Sequence, residues 1–186
     1  MGFLGPGPLR VHLEHARRYG ERIPDRARRL IDLGSGGGLP GVPLLFDRPN
    51  MTGVLLDAAS KRTAFLVWAV VELGMADRVD VVTARAEEAA HQPEHRGDFD
   101  VVVCRGFGPP GVTIECSAGF MADGGRLLIS EPPERRQWDN GLLATIGLVH
   151  QSTEHGVAQF DRIAPVPETT PRSAKRMQRS PLAVEI

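Results

Sequence analysis

The sequence predicts an α/β fold in which a mostly parallel sheet is covered by helices on both faces. Three observations carry this. Short runs rich in Val, Ile and Leu recur along the chain, nearly continuous in apolar character, as in strands buried on both faces. Stretches with helical spacing separate them, the alternation that builds a parallel sheet. Finally, Asp32, Asp57, Arg85 with Glu87, and Arg105 all fall at the carboxyl ends of the runs, where open α/β sheets bind ligands.

The elements follow in order. Leu9, Leu13 and Ala16 stand at helical spacing among Arg10, Glu14, Arg17 and Arg18. They predict an amphipathic helix over 9–21, stopped by Gly20 and Pro24, with His12 and His15 on its solvent side. Strand runs follow at Leu30–Leu33, Val54–Leu56, Val79–Val82, Phe99–Val103 and Leu127–Ile129. Ser60 is a candidate cap for a helix over Lys61–Leu73, which Gly74 can end. That helix is apolar on most sides, so burial is expected for it, Trp68 included. Arg135–Thr145 is another helix candidate, with Trp138 in its core. Pro165–Pro181, rich in Pro, Thr, Ser and Arg, reads as loop-like or mobile.

Composition bounds the function. The chain has 186 residues, 41% hydrophobic, with two Cys and a net charge of -1. This fits a single domain over 1–186 and excludes collagen, a disordered tail and a disulfide scaffold. No apolar run approaches the ~18–20 residues of a membrane span. Gly and Pro interrupt the N-terminus where a signal peptide needs an unbroken apolar segment. A cytoplasmic protein with reduced thiols and no membrane partner is expected. Cys104 and Cys116 read as packing residues. His91 and His95 are split by Pro93 and joined by no Cys, so no metal site is expected.

Charge is segregated. Residues 1–30 hold seven Arg against Glu14, Glu21 and Asp25; the middle of the chain is acidic; Arg162, Arg172, Lys175, Arg176 and Arg179 make the end basic. Two readings are open: solvated surface charge, or a basic rim that steers a polyanion.

The first strand runs into Asp32-Leu33-Gly34-Ser35-Gly36-Gly37-Gly38-Leu39-Pro40-Gly41. Glycines let a ligand approach the backbone closely, so Gly34, Gly36 and Gly38 are candidate contacts for a nucleotide-like molecule. Gly36 and Gly41 have P-loop separation, but Val42-Pro43 stands where Lys and Ser/Thr are required, which argues against triphosphate hydrolysis. Asp57 ends the second strand, where a carboxylate can accept from both ribose hydroxyls or simply cap the turn before Ser60. Asp32 beside the loop disfavours a pyrophosphate and suits the cationic amino end of S-adenosylmethionine.

At this point the chain resembles a known family, the small-subunit ribosomal RNA guanine-N7 methyltransferases, also called glucose-inhibited division protein B. The resemblance lies in Ile31–Pro43 with its Leu-Pro-Gly, in Leu55-Leu56-Asp57 through Lys61-Arg62 and Phe65-Leu66, and in Arg85-Ala86-Glu87-Glu88. It continues in Cys104-Arg105-Gly106-Phe107, Pro171-Arg172 and Pro181-Leu182, spanning roughly residues 4–182. It implies a class I S-adenosylmethionine-dependent methyltransferase fold, Rossmann-like, with a seven-stranded sheet. It implies that Gly34 and Leu39 contact the cofactor, that Ala86 and Glu87 border the adenine, and that Arg105 lies at the mouth shared by cofactor and substrate. The implied partner is 16S ribosomal RNA in the 30S subunit, acted on by a monomer.

Relative to the family, the N-terminal helical segment is short, residues 1–29, and the basic C-terminal segment is 165–186. Ser130-Glu131-Pro132-Pro133 replaces a Lys-Gly, and Glu131 would weaken phosphate attraction. Guanine N7 carries a lone pair and no proton, so its methylation requires no general base and gains from alignment. Arg105 is then the substrate-positioning candidate. Phe107 stacks on a base or packs in the core. Arg172, Lys175, Arg176 and Arg179 are candidate phosphate contacts. Methylation of another RNA or a small molecule, and a non-catalytic cofactor- or RNA-binding remnant, are the alternatives.

Overall fold

The computed structural model describes residues 7–132 and 136–182. Helix α1 (Leu9–Gly20) is followed by β1 (Arg29–Leu33), α2 (Gly41–Phe46), β2 (Thr52–Asp57), α3 (Ser60–Glu72), β3 (Val79–Thr83) and α4 (Ala86–Ala89). Then come β4 (Phe99–Cys104), α5 (Pro110–Ala118), β5 (Met121–Ser130), α6 (Asn140–Ala144), β6 (Leu148–Glu154), β7 (Val157–Arg162) and α7 (Ala174–Arg179).

The seven strands form one sheet in the order β3-β2-β1-β4-β5-β7-β6. Pairs β1–β2, β2–β3, β1–β4 and β4–β5 are parallel; β7 runs antiparallel to both β5 and β6. The order reverses between β1 and β4, which opens the crevice where such sheets bind ligands.

The two-residue period of a strand divides the core. Ile31, Leu33, Val54, Leu56, Val102, Cys104, Leu127 and Ile129 pack on the face covered by α4 to α7. Leu30, Leu55, Val101, Val103 and Leu128 pack on the other, with Tyr19, Leu44, Leu45, Leu66 and Val70 from α1 to α3. Both faces are dry, which is why these strands read as unbroken apolar runs.

Several helices differ from expectation. In α3 only Thr63, Leu66 and Val70 are buried, while Val67, Trp68 and Val71 are 50%, 58% and 58% exposed. One stripe suffices to cover β2 and β3, so the outer half is left facing out despite its apolar side chains. Trp68 is therefore a surface residue; Trp138, against Phe160, is a core one.

Ala59, rather than Ser60, is the N-cap of α3, and the Asp57 carboxylate accepts its N–H. At the other end Gly74, with φ +65°, and Met75 bond back to Val71 and Val70, the paired bonds that terminate a helix through a left-handed glycine.

In α1 the buried side chains are His12, Ala16 and Tyr19. Leu9 and Leu13 are 54% and 37% exposed, so the inward stripe is rotated from the expected one and His12 lies inside. The helix expected over Arg135–Thr145 is shorter, Asn140–Ala144, capped by Asp139 accepting from Gly141 and Leu142; Pro133 and Arg135 lie outside the described residues.

Between 167 and 172 the segment after Pro165 is tied to the rest of the fold. Arg96 donates to the Thr170 and Pro167 carbonyls, His91 Nε2 bonds Pro171 O, and Arg172 is bound to Glu115. It then forms α7 on the core through Met177. The β6–β7 hairpin turns on His155 and Gly156, both with positive φ (50° and 76°), the backbone that suits the twist of a hairpin.

Among the described residues no helix is long and apolar enough to cross a membrane.

Candidate functional site

The carboxyl ends of β1, β2, β3 and β4 converge on a cleft of about 290 Å³. Its walls include Gly34, Asp57, Arg62, Ala86, Glu87 and Phe107, with Ala174, Met177 and Gln178 of α7 closing one side. No signal in the sequence pointed to these α7 residues as cleft walls, because only packing brings the C-terminal helix there.

The loop after β1 is built for close approach. Gly34 and Ser35 donate their N–H groups to Leu56 O at 2.8 and 3.0 Å, stitching the loop to β2. Gly34 has φ +69°, and a Cβ there would stand 2.9 Å from Phe107 Cδ2. The phenyl ring therefore lies against the glycine backbone at the cleft wall, half-buried, with core contacts on its other side.

Asp57 is buried and tied to both neighbours. Its Oδ2 accepts the Gly36 N–H at 3.0 Å and faces Arg62 Nη1 at 3.4 Å; its Oδ1 accepts the Ala59 N–H at 2.8 Å. It caps the turn as sequence allowed, and it also lines the cleft, where Oδ1, with one donor, keeps lone-pair capacity for a ligand hydroxyl.

Asp32 is fully buried. Its Oδ2 accepts the Gly41 N–H at 2.9 Å, and Oδ1 is buried without a hydrogen-bond partner. Burial pushes its pKa up to about 7; the Gly41 N–H opposes that rise, and repulsion from Asp57 adds to it. An orphaned carboxylate oxygen, buried behind the glycine loop, is a costly feature that a donor, above all a cationic one, would relieve. This pair of acceptor carboxylates fits a nucleoside that carries an amino group.

Glu87 has a largely buried side chain and pairs with Arg85 at 3.2 Å. Cys116 lines the same wall, its thiol pushed up to about 12 by burial, so it is no nucleophile.

Gly38 and Leu39 stand elsewhere. They line a larger, mainly apolar groove of about 910 Å³ between α1, α2 and α3. The loop borders that groove from Gly37 onward, and Asp32, Gly36 and Arg105 are likewise not among the residues that wall the cleft.

Arg105 follows β4 and is half-buried, and its Nη2 donates to His12 Nδ1 at 2.8 Å. Sequence reasoning missed His12 and Tyr19, whose hydroxyl donates to Cys104 O at 2.9 Å. Positions 12, 16 and 19 form a helical stripe that was legible had His and Tyr been counted as inward residues.

Two further placements bear on the expectations. Arg172 is bonded to Glu115, while Lys175, Arg176 and Arg179 are exposed. Glu131 is buried and paired with Arg136 at 3.2 Å, so its charge does not face the cleft.

Known proteins match this chain in sequence and in fold. The family model described as rRNA small subunit methyltransferase G matches residues 11–135. The ribosomal RNA small subunit methyltransferase G of Prochlorococcus marinus (strain NATL1A) is 32% identical over 188 residues, covering 94% of this chain and 73% of that protein. The protein of the same name from Chromobacterium violaceum is 42% identical over 100 residues, 54% of this chain and 46% of that one.

Among solved structures, a SAM-dependent methyltransferase from Geobacter sulfurreducens in complex with S-adenosyl-L-homocysteine matches at a TM-score of 0.53 and 25% identity, over 72% of this chain and 54% of that one. An O-methyltransferase family protein from Burkholderia thailandensis shares the fold, with a TM-score of 0.57 and 15% identity over 84% and 58% of the two chains. The strand order, the glycine loop anchored on Asp32 and Asp57, and these matches agree: the chain belongs to the rRNA small subunit methyltransferase G family.

Proposed function

We propose that the protein transfers a methyl group from S-adenosylmethionine to guanine N7 of 16S ribosomal RNA in the 30S subunit, acting as a monomeric single domain in the cytoplasm. One observation supports the cofactor above others: the buried Asp32 carboxylate with an unpartnered oxygen beside the glycine loop. When bound, S-adenosylmethionine supplies an electrophilic methyl on a sulfonium.

The chain's own residues do the rest. Asp32 receives the cationic amino end. Asp57 accepts from the ribose, Gly34 and Gly36 admit the molecule against the backbone, and Ala86 and Glu87 border the adenine. Arg105 positions the acceptor, Phe107 presents a ring edge or face to it, and Lys175, Arg176 and Arg179 draw RNA phosphates toward the cleft. N7 needs no deprotonation, which suits a cleft where Asp32, an acid of neutral range, is buried behind the loop. Rate enhancement then comes from holding the acceptor in line, which can supply about 7–11 kcal/mol.

Of the two grounds for methylation of another RNA or of a small molecule, the one that rests on Glu131 is weakened, because Glu131 is turned inward and paired with Arg136. The test is incubation of tritiated S-adenosylmethionine with undermethylated 30S subunits, followed by mapping of the label. Label at N7 of a 16S guanine is expected. Binding of the cofactor without transfer to 30S subunits, naked RNA or extracts would establish a binding remnant instead.

A further inference from the structure

The contact between α1 and the end of β4 is more than packing. Arg105 stands on a loop, next to the exposed Gly106 with φ +62°, where a long side chain has little to fix it. It lies close enough to influence Asp32 electrostatically, and a guanidinium free to turn would be drawn to that buried carboxylate. Instead Nη2 is bonded at 2.8 Å to Nδ1 of His12, a residue only 5% exposed. Because Nδ1 accepts, the ring proton sits on Nε2, which is buried without a partner near Gly7.

The helix that carries His12 is itself pinned to the same strand end. Tyr19 OH bonds the carbonyl of Cys104, the residue before Arg105, while Arg18 and Arg22 bond the backbone of His155 and Glu154 in the β6–β7 hairpin.

We infer that His12 is a positioning residue: its Nδ1 lone pair fixes the Arg105 guanidinium beyond the end of β4 and keeps it off Asp32. This rests on the methyltransferase reading for what Arg105 then does. The choice of an imidazole has a chemical reason. A carboxylate would hold arginine more strongly but would neutralise it; a neutral ring gives direction and leaves the positive charge for a phosphate or a guanine edge. The neighbouring His15 is disfavoured as a cation, by burial first and by Arg105 next, so it adds no competing positive charge beside that guanidinium.

The test uses the full chain. His12→Leu removes the acceptor and is expected to lower kcat/KM for transfer to undermethylated 30S subunits by about 10²-fold, the scale of a misplaced positioning group. The unfolding midpoint should stay near that of the unsubstituted protein, while the dissociation constant for S-adenosylmethionine should rise, because a freed Arg105 competes for Asp32. His12→Asn, whose Oδ1 replaces the Nδ1 acceptor, should recover most of the loss. In an Arg105→Ala background His12→Leu should cost nothing further.

Wild-type rates in His12→Leu, or equal loss in His12→Asn, would overturn the assignment. Nitrogen NMR of the histidines provides a readout independent of activity. An unprotonated Nδ1 that shifts in Arg105→Ala supports the contact, and a protonated Nδ1 at neutral pH overturns it. Absence of transfer by the unsubstituted protein would instead overturn the methyltransferase reading, and the NMR result would still decide the contact.

Discussion

Arg172 grips Glu115 with both ends of its guanidinium. Nε donates to Oε1 at 2.7 Å and Nη2 to Oε2 at 2.6 Å, while the Arg172 backbone N–H also reaches Oε1 at 2.8 Å. The Glu115 side chain is 3% exposed. An arginine with a basic neighbourhood thus serves the fold, joining the C-terminal segment to α5 and placing α7 against the cleft.

Removing one partner of a buried pair leaves the other charge uncompensated. Arg172→Ala is expected to destabilise the protein by about 3 kcal/mol, read from urea unfolding. The exposed Lys175, Arg176 and Arg179 should change stability by no more than about 0.5 kcal/mol each when replaced by Ala. Their joint replacement should flatten the salt dependence of RNA binding by about 0.7–0.9 in log–log slope for each phosphate no longer neutralised. An unchanged slope would remove them from the RNA surface.

Gly41 has no room for a side chain. A Cβ would stand 2.6 Å from Asp32 Oδ2 and 2.7 Å from Leu55 Cδ2, and Gly41 also donates the hydrogen bond that Asp32 Oδ2 accepts. Gly41→Ala is expected to cost about 1–3 kcal/mol by overpacking and to weaken cofactor binding. Calorimetric titration together with thermal unfolding checks both.

Asp32 titrates near pH 7, and a cationic amino group selects its ionised form. Cofactor affinity should therefore fall by up to about tenfold per pH unit below about 7, with a proton released on binding. Titrations in buffers of different ionisation enthalpy measure that proton. Asp32→Asn should abolish both the release and the pH dependence; their persistence would move the cofactor's amino end elsewhere.

The same region sets opposing slopes of stability with pH. Asp32, raised from 3.8 to about 7, holds its proton more tightly folded than unfolded. Its contribution is present at low pH and is lost as pH rises through about 4 to 7. His15, lowered from 6.5 to about 4 by burial and then by Arg105, binds protons more readily unfolded. Its contribution is present above 6.5 and is lost as pH falls toward 4.

Relative to the unsubstituted protein, D32N should gain stability as pH rises from about 4 to 7. H15Q should gain as pH falls over the same range. Urea midpoints across that window distinguish the two, and parallel curves would contradict both assignments.

The sequence by itself determined the five strands β1 to β5 and the polar residues at their carboxyl ends, but not β6 and β7. Apolar runs buried on two faces have one stable arrangement, strands side by side under helices, and the polar residues at their ends mark the crevice. Asp32, Gly34, Asp57, Glu87 and Arg105 were legible for that reason.

Tertiary structure decided which members of an ambiguous set face which way. Apolar character on α3 did not say that one stripe would cover the sheet and Trp68 would be left outside. Charge on Arg172 did not say that Glu115, distant in sequence, would claim it. Nothing local in α1 paired His12 with Arg105, because that hydrogen bond exists only once α1 lies across the end of β4. Local pattern reports what a residue can do; which partner it meets depends on contacts between segments far apart in the chain, and these form only when the core closes.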